Sequence, residues 1–401
     1  MKDSRLKLIV YFIILLLAVF LVTKALLKSG GFDEEREGID EQRGGLVLDV
    51  NGSWPMFHGE PNLAGNCQGE LPDSLSVIWK FQTADEVKSS PAIDDAIVYI
   101  GSSDGNVYAI DLKTGEQVWS YKTDGVVEAT ACIVEDLVFI GSSDSFLYAL
   151  DKKTGEFKWK SETGGQILGS ANRLDSEESE ELRIIVGSYD GRLYCLNSSD
   201  GKVIWTYETD NYVNGTPAVE NERIVFGGCD GLIHIVSAKD GVGINRIDGG
   251  AYIAGSLAIL DSKVYVGNYE NTFMKADITK GEVLWKYTGS DTGYYSSPAI
   301  AQGVVVVGGR DNRIHCVDIG SGKKKWTFQT LGEVDSSPII CGEKVIVGSG
   351  DGRLYMLRLS DGSKLWSFEI GQAISSSPAV VGNIIVVGCD DGYVYAFGPG
   401  Q

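Results

Sequence analysis

The sequence is poor in several residue classes, and each shortage excludes a kind of protein. It has only three histidines in 401 residues, scattered as His58, His234 and His315, so no zinc-ligand spacing is present. Basic residues are also scarce, since 35 Lys and Arg stand against 55 Asp and Glu, for a formal net charge of −20. Because phosphate binding needs a basic surface, we predict no nucleic-acid partner, whereas basic protein partners remain possible.

Sustained helical periodicity is missing from the repeated body of the chain, and this absence points to an all-β protein. The clearest stretch begins at Ser89-Ser90-Pro91-Ala92 and passes through further short apolar runs to Val118-Trp119. Asp104-Gly105 and Thr114-Gly115 separate the later runs, and Gly accepts the positive φ that such hairpin turns need. The stretch therefore predicts a four-stranded antiparallel meander.

This unit recurs about every 40 residues, which is the signature of a repeat architecture. Its outermost run carries a tryptophan at seven positions, and Asn245 replaces it at an eighth. The seven are Trp79, Trp119, Trp159, Trp205, Trp285, Trp326 and Trp366. The first of these runs precedes every complete unit, and the last unit ends at Phe397 without one. We therefore predict an eight-bladed β-propeller of four-stranded antiparallel blades over 77–399, in which the N-terminal strand completes the last blade.

Some hairpins depart from the repeat. Ser145 and Asn312 replace the turn glycine, and Ser145 is the poorer fit because Asn tolerates positive φ better. In the fifth unit Glu270-Asn271 replaces Asp-Gly. Together with Asn245, this makes units four and five the least regular part of the ring. They are the first place to look for a contact surface, and local drift of a tolerant repeat is the alternative explanation.

The run Ala109, Asp111, Thr114-Gly115 and Trp119 resembles the tryptophan-docking motif of the PQQ-type propeller family. A second copy ends at Trp159, and degenerate copies bring the resemblance to about four fifths of the chain. The resemblance implies that the tryptophans dock each blade onto its neighbour, a structural role. The family contains quinone-dependent alcohol and sugar dehydrogenases and also non-catalytic propellers of bacterial outer-membrane assembly. Membership therefore assigns no activity by itself.

The channel mouth is where a cofactor would bind. By register, one residue just before each innermost strand faces it: Lys88, Glu128, Leu168, Asn214, Ala254, Tyr295, Asp335 and Ser375. Glu128, Asn214 and Asp335 are the candidates for cofactor binding or for an oxygen-preferring cation. A quinoprotein dehydrogenase would also need an arginine, which this set lacks, and several such enzymes carry adjacent cysteines, which are absent. We predict no catalytic residue, no metal and no cofactor, with PQQ and Ca²⁺ as the alternative.

The seven cysteines show no disulfide pattern. Five of them replace small residues of the repeat: Cys132, Cys195, Cys229, Cys316 and Cys389. Cys341 falls in a turn, and Cys67 stands alone ahead of the repeats. Because the spacing is irregular and the count is odd, we predict no disulfide framework.

The N-terminal segment predicts export. Residues 1–7 form a basic stub, residues 8–27 are apolar apart from Lys24, and residues 28–53 are an acidic, flexible tether. The apolar run is long enough to span a bilayer as a signal anchor, and a cleaved signal peptide is the alternative. The basic stub would then remain cytoplasmic and the propeller would lie on the periplasmic side, or be secreted if the segment is cleaved. Residues 54–76 begin with Trp54-Pro55-Met56-Phe57-His58-Gly59, which resembles a lead-in that often precedes PQQ-type propellers of exported bacterial proteins. The alternative is that this segment is simply a cap that packs against the ring.

These observations favour a membrane-anchored, extracytoplasmic propeller that binds protein partners of the cell envelope or serves as an assembly scaffold, without catalysis. The alternative is a PQQ- or metal-dependent dehydrogenase, or a degenerate relative that binds a quinone or a cation at the central channel. A sensor ectodomain is a third possibility, weakened by the short cytoplasmic stub of residues 1–7.

Overall fold

The computed structural model describes residues 48–67, 69–174 and 182–400, and these residues form strands and turns without a helix. Eight sheets form the ring, and each has four antiparallel strands, to which the sheet of blade 7 adds a short parallel strand from the segment ahead of the repeats. The prediction of an all-β, eight-bladed propeller is therefore confirmed. Each blade buries apolar side chains against its two neighbours, so the core is a series of clusters between blades.

The strands have the following bounds. The cap strand is β1 (Asn66–Cys67), and the strand that closes the ring is β2 (Leu75–Gln82). Blades 1 to 4 contain β3 (Ala92–Asp94), β4 (Ile97–Gly101), β5 (Asn106–Asp111), β6 (Gln117–Lys122), β7 (Cys132–Val134), β8 (Leu137–Gly141), β9 (Phe146–Asp151), β10 (Phe157–Glu162), β11 (Asn172–Leu174), β12 (Arg183–Gly187), β13 (Arg192–Asn197), β14 (Val203–Glu208), β15 (Ala218–Glu220), β16 (Arg223–Gly227), β17 (Leu232–Ser237) and β18 (Gly243–Asp248). Blades 5 to 8 contain β19 (Ala258–Leu260), β20 (Lys263–Gly267), β21 (Phe273–Asp277), β22 (Glu282–Tyr287), β23 (Ala299–Ala301), β24 (Val304–Gly309), β25 (Arg313–Asp318), β26 (Lys324–Gln329), β27 (Ile339–Cys341), β28 (Lys344–Gly348), β29 (Arg353–Arg358), β30 (Lys364–Glu369), β31 (Ala379–Val381), β32 (Ile384–Cys389) and β33 (Tyr393–Pro399).

The ring closes between the two ends of the propeller. Strand β2 pairs antiparallel with β33, with Trp79 opposite Ala396 and Gln82 opposite Tyr393. It is the outermost strand of blade 8, so the predicted closure by the N-terminal strand is confirmed. Pairing the first strand with the last satisfies the outer edge of β33 and ties both ends into one sheet.

The repeated tryptophans lie at the seams between blades. In six seams the indole lies against the glycine of the next blade's last turn, as Trp119 lies against Gly155 and Trp326 against Gly362. The indole N–H of Trp119 also donates to the Lys152 carbonyl at 3.0 Å, and that of Trp326 donates to the Leu359 carbonyl at 2.7 Å. A Cβ on Gly155 would lie 2.6 Å from the Trp119 ring, which explains why the turn needs glycine there.

Two seams differ from this pattern. At the seam between blades 4 and 5, Asn245 takes the tryptophan position and lies beside Gly281. Trp366 at the seam between blades 7 and 8 contacts Phe397, with ring centroids 5.6 Å apart. The irregularity of units four and five noted in the sequence therefore corresponds to a seam without a stacked indole.

The hairpin aspartates are turn residues with a second role. Asp104 Oδ1 accepts from the Asn106 N–H at 2.8 Å, the local turn chemistry expected of Asp. Its Oδ2 accepts from the Tyr108 hydroxyl at 2.7 Å, a contact to the neighbouring strand that the sequence did not predict. His234 and His315 replace this tyrosine, and each ring Nε2 contacts the hairpin aspartate of its own blade at 3.0–3.1 Å. Both histidines therefore make the same structural contact as the tyrosine that they replace.

Ser145 is held in the left-handed region with φ 73°, and Asn312 with φ 61°. We expect Ser145→Gly to raise the free energy of unfolding by about 1 kcal/mol, because an L side chain with a Cβ is strained there. The matched control is Asn312→Gly, for which we expect a smaller gain because Asn tolerates this conformation. Urea unfolding of both variants measures the difference, and an equal or larger gain from Asn312→Gly would contradict the strain explanation.

The structure contains a disulfide, contrary to the expectation from cysteine spacing. Cys67 is bonded to Cys341, with Cα atoms 4.7 Å apart and a sequence separation of 274 residues. Strand β1 runs parallel to β27, with Asn66 opposite Ile340 and Cys67 opposite Cys341. The spacing could not reveal the pair because only the course of the cap brings the two residues together.

The predicted stub at 1–7, the anchor at 8–27 and most of the tether at 28–53 lie outside the described residues. Within 48–67, 69–174 and 182–400 there is no helix with the length and apolar character needed to cross a bilayer.

Candidate functional site

The lead-in segment closes one end of the central channel. From Trp54 to Asn66 it runs around the ring and accepts backbone hydrogen bonds from the innermost strands of six blades, including Ile93, Ile259 and Ile340. These N–H···O distances are 2.8–2.9 Å. Trp54, Met56 and Leu63 are at most 4% exposed, so the segment buries apolar side chains against the ring. A cavity of about 380 Å³ remains on this side, lined by Trp54, Glu60 and Val381 among others. In these six blades the segment pairs a backbone N–H of the inner strand edge that would otherwise lack a partner.

The opposite end of the channel is open. All eight residues predicted from the repeat register line one cavity of about 410 Å³, together with Phe57 of the lead-in segment. The prediction from the repeat register was correct because each of these residues stands just before the innermost strand of its own blade. Phe57 was not predicted to lie in the channel, since nothing in its local sequence indicates which part of the ring it contacts.

A ring of hydroxyl residues lies just below the mouth, one in each blade. It consists of Ser90, Thr130, Ser170, Thr216, Ser256, Ser297, Ser337 and Ser377. From Thr130 to Ser377 the backbone N–H of one member donates to the hydroxyl of the next, as from Thr130 to Ser170 at 2.8 Å and from Ser377 to Ser90 at 2.9 Å. The last of these bonds crosses from blade 8 to blade 1. A small hydroxyl residue at this position of every repeat is the sequence signal that would have found it.

The three predicted binding candidates are brought to the same cavity, but two have protein partners. Asn214 Oδ1 accepts from the Tyr189 hydroxyl at 3.0 Å, and its Nδ2 donates to the Ala254 carbonyl at 3.1 Å. Asp335 Oδ1 accepts a hydrogen bond from Arg310 Nε at 2.9 Å, and Asp335 Oδ2 accepts one from Arg310 Nη2 at 2.7 Å. Glu128 has no hydrogen bond or ion pair within the described part of the chain.

Arg310 lies at the mouth but is not one of the eight residues that the repeat register predicted to face it. It comes from the hairpin of blade 6 and pairs with Asp335 of the neighbouring loop, while its Nε lies 3.5 Å from Glu333. Its guanidinium carbon lies 3.4 Å from the centroid of the Tyr295 ring, a cation–π contact. The bidentate bond to Asp335 raises the pKa of Arg310, so the group stays charged.

Tyrosines form the rim of the mouth over blades 3 to 6. Tyr212, Tyr252 and Tyr269 are 51%, 56% and 45% exposed. Tyr269 contacts Tyr295 with ring centroids 4.3 Å apart, and Tyr189 contacts Tyr212 at 4.8 Å. We call these five residues the tyrosine rim. The sequence placed only Tyr295 at the mouth, and the rim as a group was missed because its members occupy different positions of the repeat.

His58 is a buried base in the turn of the cap. Its side chain is 2% exposed, Nδ1 contacts the Leu63 carbonyl at 3.1 Å, and Nε2 is buried without a partner among the described residues. The acceptor at Leu63 assigns the ring proton to Nδ1, so Nε2 is the atom that would have to take a second proton. Burial lowers the pKa of His58 to about 4, against a slight raising effect of the Leu63 carbonyl.

This shift predicts a loss of stability in acid. The folded-state pKa lies below the unfolded value of 6.5, so the contribution is fully present above pH 6.5 and is lost as the pH falls toward 4. We expect the loss from His58 to reach about 2–3 kcal/mol near pH 4.5. His58→Gln, which does not titrate, should lose less stability between pH 7.5 and pH 4.5 in urea unfolding. Equal losses in the two proteins would contradict the assignment.

No group of three or more His, Cys, Asp or Glu side chains that could hold a metal ion occurs in residues 48–67, 69–174 and 182–400. The groups that face the mouth are the Glu128 carboxylate, the tyrosine rim and the hydroxyl ring, which together form a polar and aromatic surface.

Comparison with solved structures shows that several propellers share this fold. BamB from Moraxella catarrhalis has a TM-score of 0.69 at 20% sequence identity, covering 81% of this chain and 100% of that chain. Quinohemoprotein alcohol dehydrogenase from Comamonas testosteroni has a TM-score of 0.74 at 14% identity, covering 87% and 81%. A computationally designed protein, Ika8, has a TM-score of 0.69 at 18% identity, covering 79% and 98%. At these identities the likeness shows the fold alone.

Sequence comparison gives the family. No protein of curated function is significantly similar in sequence to this chain. The profile of the family described as outer membrane protein assembly factor BamB matches residues 72–179, 178–244 and 230–398, which span nearly the whole propeller. The resemblance to PQQ-type propellers is thereby confirmed, and the chain belongs to the family described as outer membrane protein assembly factor BamB.

Proposed function

We propose that this protein is a non-catalytic, extracytoplasmic scaffold that binds a protein partner of the cell envelope at the open mouth of its channel. The observation that carries the proposal is the difference between the two ends. One end is covered by the chain's own lead-in segment, which bonds to six blades, and the other presents the exposed side chains of Tyr212, Tyr252 and Tyr269. Exposed aromatic side chains grouped around a concavity are typical of protein-binding surfaces.

Membership of a family described as an outer membrane protein assembly factor supports an envelope role. The Cys67–Cys341 disulfide supports a location outside the cytoplasm, because disulfides persist in oxidising compartments. The proposal also includes the membrane anchor at 8–27, with the propeller on the periplasmic side. If the segment is cleaved instead, the propeller is released and the partner must retain it at the envelope.

The competing function is a dehydrogenase that uses PQQ and Ca²⁺ in the channel. Its carboxylate and amide ligands would have to come from Glu128, Asn214 and Asp335. Asn214 is hydrogen-bonded through both side-chain atoms, and Asp335 is held by Arg310, so only Glu128 is available without breaking a protein contact. These residues do not fit the ligand set of such a site, and the proposal therefore includes no cofactor. Stoichiometric PQQ binding with dye reduction by alcohols or sugars would overturn it.

Site-specific photo-crosslinking in the native host tests the scaffold. A photoreactive residue is placed at Tyr252 or at Leu331, which is 77% exposed on the same side, and as a control at Phe157, which is 43% exposed on an outer strand. We expect the mouth positions to crosslink one envelope protein that then binds the purified full chain, and the control position to crosslink it much less. No enrichment at the mouth over Phe157 would contradict the proposal.

A further inference from the structure

The tyrosine rim is concentrated in one sector of the ring although its members come from unrelated repeat positions. Tyr189 and Tyr269 lie in the hairpins of blades 3 and 5, Tyr212 and Tyr252 in the loops entering blades 4 and 5, and Tyr295 in the loop entering blade 6. The residues equivalent to Tyr189 in blades 1, 2 and 7 are Ser103, Ser143 and Gly350. Random substitution at one position of the repeat would not place aromatic residues from three different repeat positions in one sector of the ring.

The backbone holds these side chains together. In blade 5 the Tyr269 N–H donates to the Tyr252 carbonyl at 2.8 Å, and in blade 4 the Cys229 N–H donates to the Tyr212 carbonyl at 3.0 Å. Each bond fixes a hairpin against the loop that enters the same blade. Leu168, Tyr189, Tyr212, Asn214, Ala254 and Tyr269 then line a hollow of about 600 Å³ beside the channel. That volume is large enough for one or two side chains of a partner.

The mouth already binds one arginine of its own chain. The guanidinium carbon of Arg310 lies 3.4 Å from the centroid of the Tyr295 ring, and the guanidinium donates two hydrogen bonds to Asp335. An aromatic face and a carboxylate are the two elements that recognise a guanidinium. Lys88, which also lines the mouth, is ion-paired with Glu86 at 2.7 Å and interacts electrostatically with Glu128. Arg310 and Lys88 are therefore each paired with a carboxylate of their own chain.

The other four tyrosines of the rim have no cation–π contact within the described residues. Glu128 lines the channel cavity together with Tyr189, makes no hydrogen bond or ion pair in the described part of the chain, and interacts electrostatically with Lys88. Burial raises the pKa of Tyr189, and nearby groups that include Glu128 raise it further. Glu270 is exposed next to Tyr269. The net charge of −20 adds a long-range attraction for cations. Tyrosines without a cation, next to the carboxylates of Glu128 and Glu270, favour a positively charged occupant.

From this we infer that the hollow beside Tyr189, Tyr212 and Tyr269 binds an arginine side chain on an extended segment of the partner protein. The inference rests on the proposed function, since it names the chemistry of the partner at the same mouth. Arginine fits better than lysine because its planar guanidinium stacks on an aromatic ring and bonds a carboxylate in the same plane. We expect the partner's arginine to contact a ring of the tyrosine rim as Arg310 contacts Tyr295.

Fluorescence anisotropy with the full chain in detergent tests the inference. The probe is a fluorescein-labelled peptide Gly-Ser-Arg-Gly-Arg-Ser-Gly, and its control carries citrulline in place of both arginines, which keeps the shape and removes the charge. The measurement is made at physiological ionic strength, where the Debye length of about 8 Å limits non-specific attraction to the acidic surface. We expect the arginine peptide to bind and the citrulline peptide to bind at least about tenfold more weakly.

Two triple variants separate the aromatic rings from apolar contact alone. Tyr212→Leu, Tyr252→Leu and Tyr269→Leu together should weaken binding of the arginine peptide by at least about tenfold, because cation–π attraction is lost at several faces. The matched triple Tyr→Phe variant keeps the rings and should bind within about threefold of the natural protein. Binding unchanged by the Leu substitutions, or equal binding of the citrulline peptide, would overturn the inference.

The crosslinking experiment distinguishes failure of arginine recognition from failure of the proposed scaffold function. The photoreactive residue is placed at Leu331 for this comparison, because Tyr252 is itself substituted in the variants. If Leu331 captures the same envelope protein in the Leu variant and in the natural protein, the scaffold stands and arginine recognition is wrong. If capture of the envelope protein falls in the Leu variant and persists in the Phe variant, the scaffold function and arginine recognition are both supported. If no mouth position is enriched over Phe157, the proposed function fails whatever the peptide does.

Discussion

Replacing Trp119 by alanine is expected to lower the free energy of unfolding by about 3–5 kcal/mol. The indole is 7% exposed, lies against Gly155 and donates to the Lys152 carbonyl at 3.0 Å. The Tyr99 hydroxyl donates to the same carbonyl at 3.1 Å, so the two aromatic side chains hold one turn of blade 2 against blade 1. Removing the indole leaves a cavity at the seam and deprives the Lys152 carbonyl of one of its donors.

The matched control is Trp205→Ala. Trp205 also lies against the glycine of the next blade, but it is only half-buried and its buried indole N–H has no partner among the described residues. Removing an unsatisfied buried donor relieves a penalty of about 1–3 kcal/mol, so the loss should be clearly smaller than for Trp119. Urea unfolding of the two variants makes the comparison, and equal losses would mean that the indole hydrogen bond does not contribute to docking.

Removing the Cys67–Cys341 disulfide is expected to lower the free energy of unfolding by about 3–5 kcal/mol. The bond closes a loop of 274 residues in sequence separation, and in the unfolded chain it restricts most of the propeller. In the folded protein it fixes the end of the lead-in segment beside β27. We therefore expect the double variant Cys67→Ser, Cys341→Ser to unfold at lower urea concentration and to be cleaved by proteases near residue 67.

The reductant dithiothreitol provides the control. It should lower the unfolding midpoint of the natural protein toward that of the double variant and leave the double variant unchanged. Alkylation followed by mass measurement should label Cys67 and Cys341 only after reduction. If dithiothreitol lowers the unfolding midpoint of the natural protein no more than that of the double variant, the disulfide does not stabilise the fold.

Much of the fold could be predicted because the repeat is local and periodic. The alternation within a run, the Asp-Gly hairpins and the tryptophan period each act over a few residues, and repetition multiplies a weak signal. Counting the Trp79 run against the hairpins was enough to predict that β2 would pair with β33. The same register brought Glu128, Asn214 and Asp335 to one cavity, because equivalent positions of a ring share one radius.

What these residues contact could not be predicted in the same way. Asp335 is occupied by Arg310, which comes from a hairpin 25 residues earlier in the chain. The disulfide was missed because Cys67 reaches Cys341 only by way of a cap that follows no repeat. Such contacts depend on which loops meet, and loops carry no periodic signal.

The sequence by itself determined the blades, their number, the seam at which the ring closes and the residues that face the channel, because each of these follows from hydrophobic periodicity and turn chemistry. The tertiary structure decided which end of the channel is closed and which neighbours surround Asp335. It also brought Tyr212, Tyr252 and Tyr269 together on one rim. The physical reason is that a repeat fixes each residue within its own blade, whereas a binding surface is built from side chains of several blades whose proximity exists only in the closed ring.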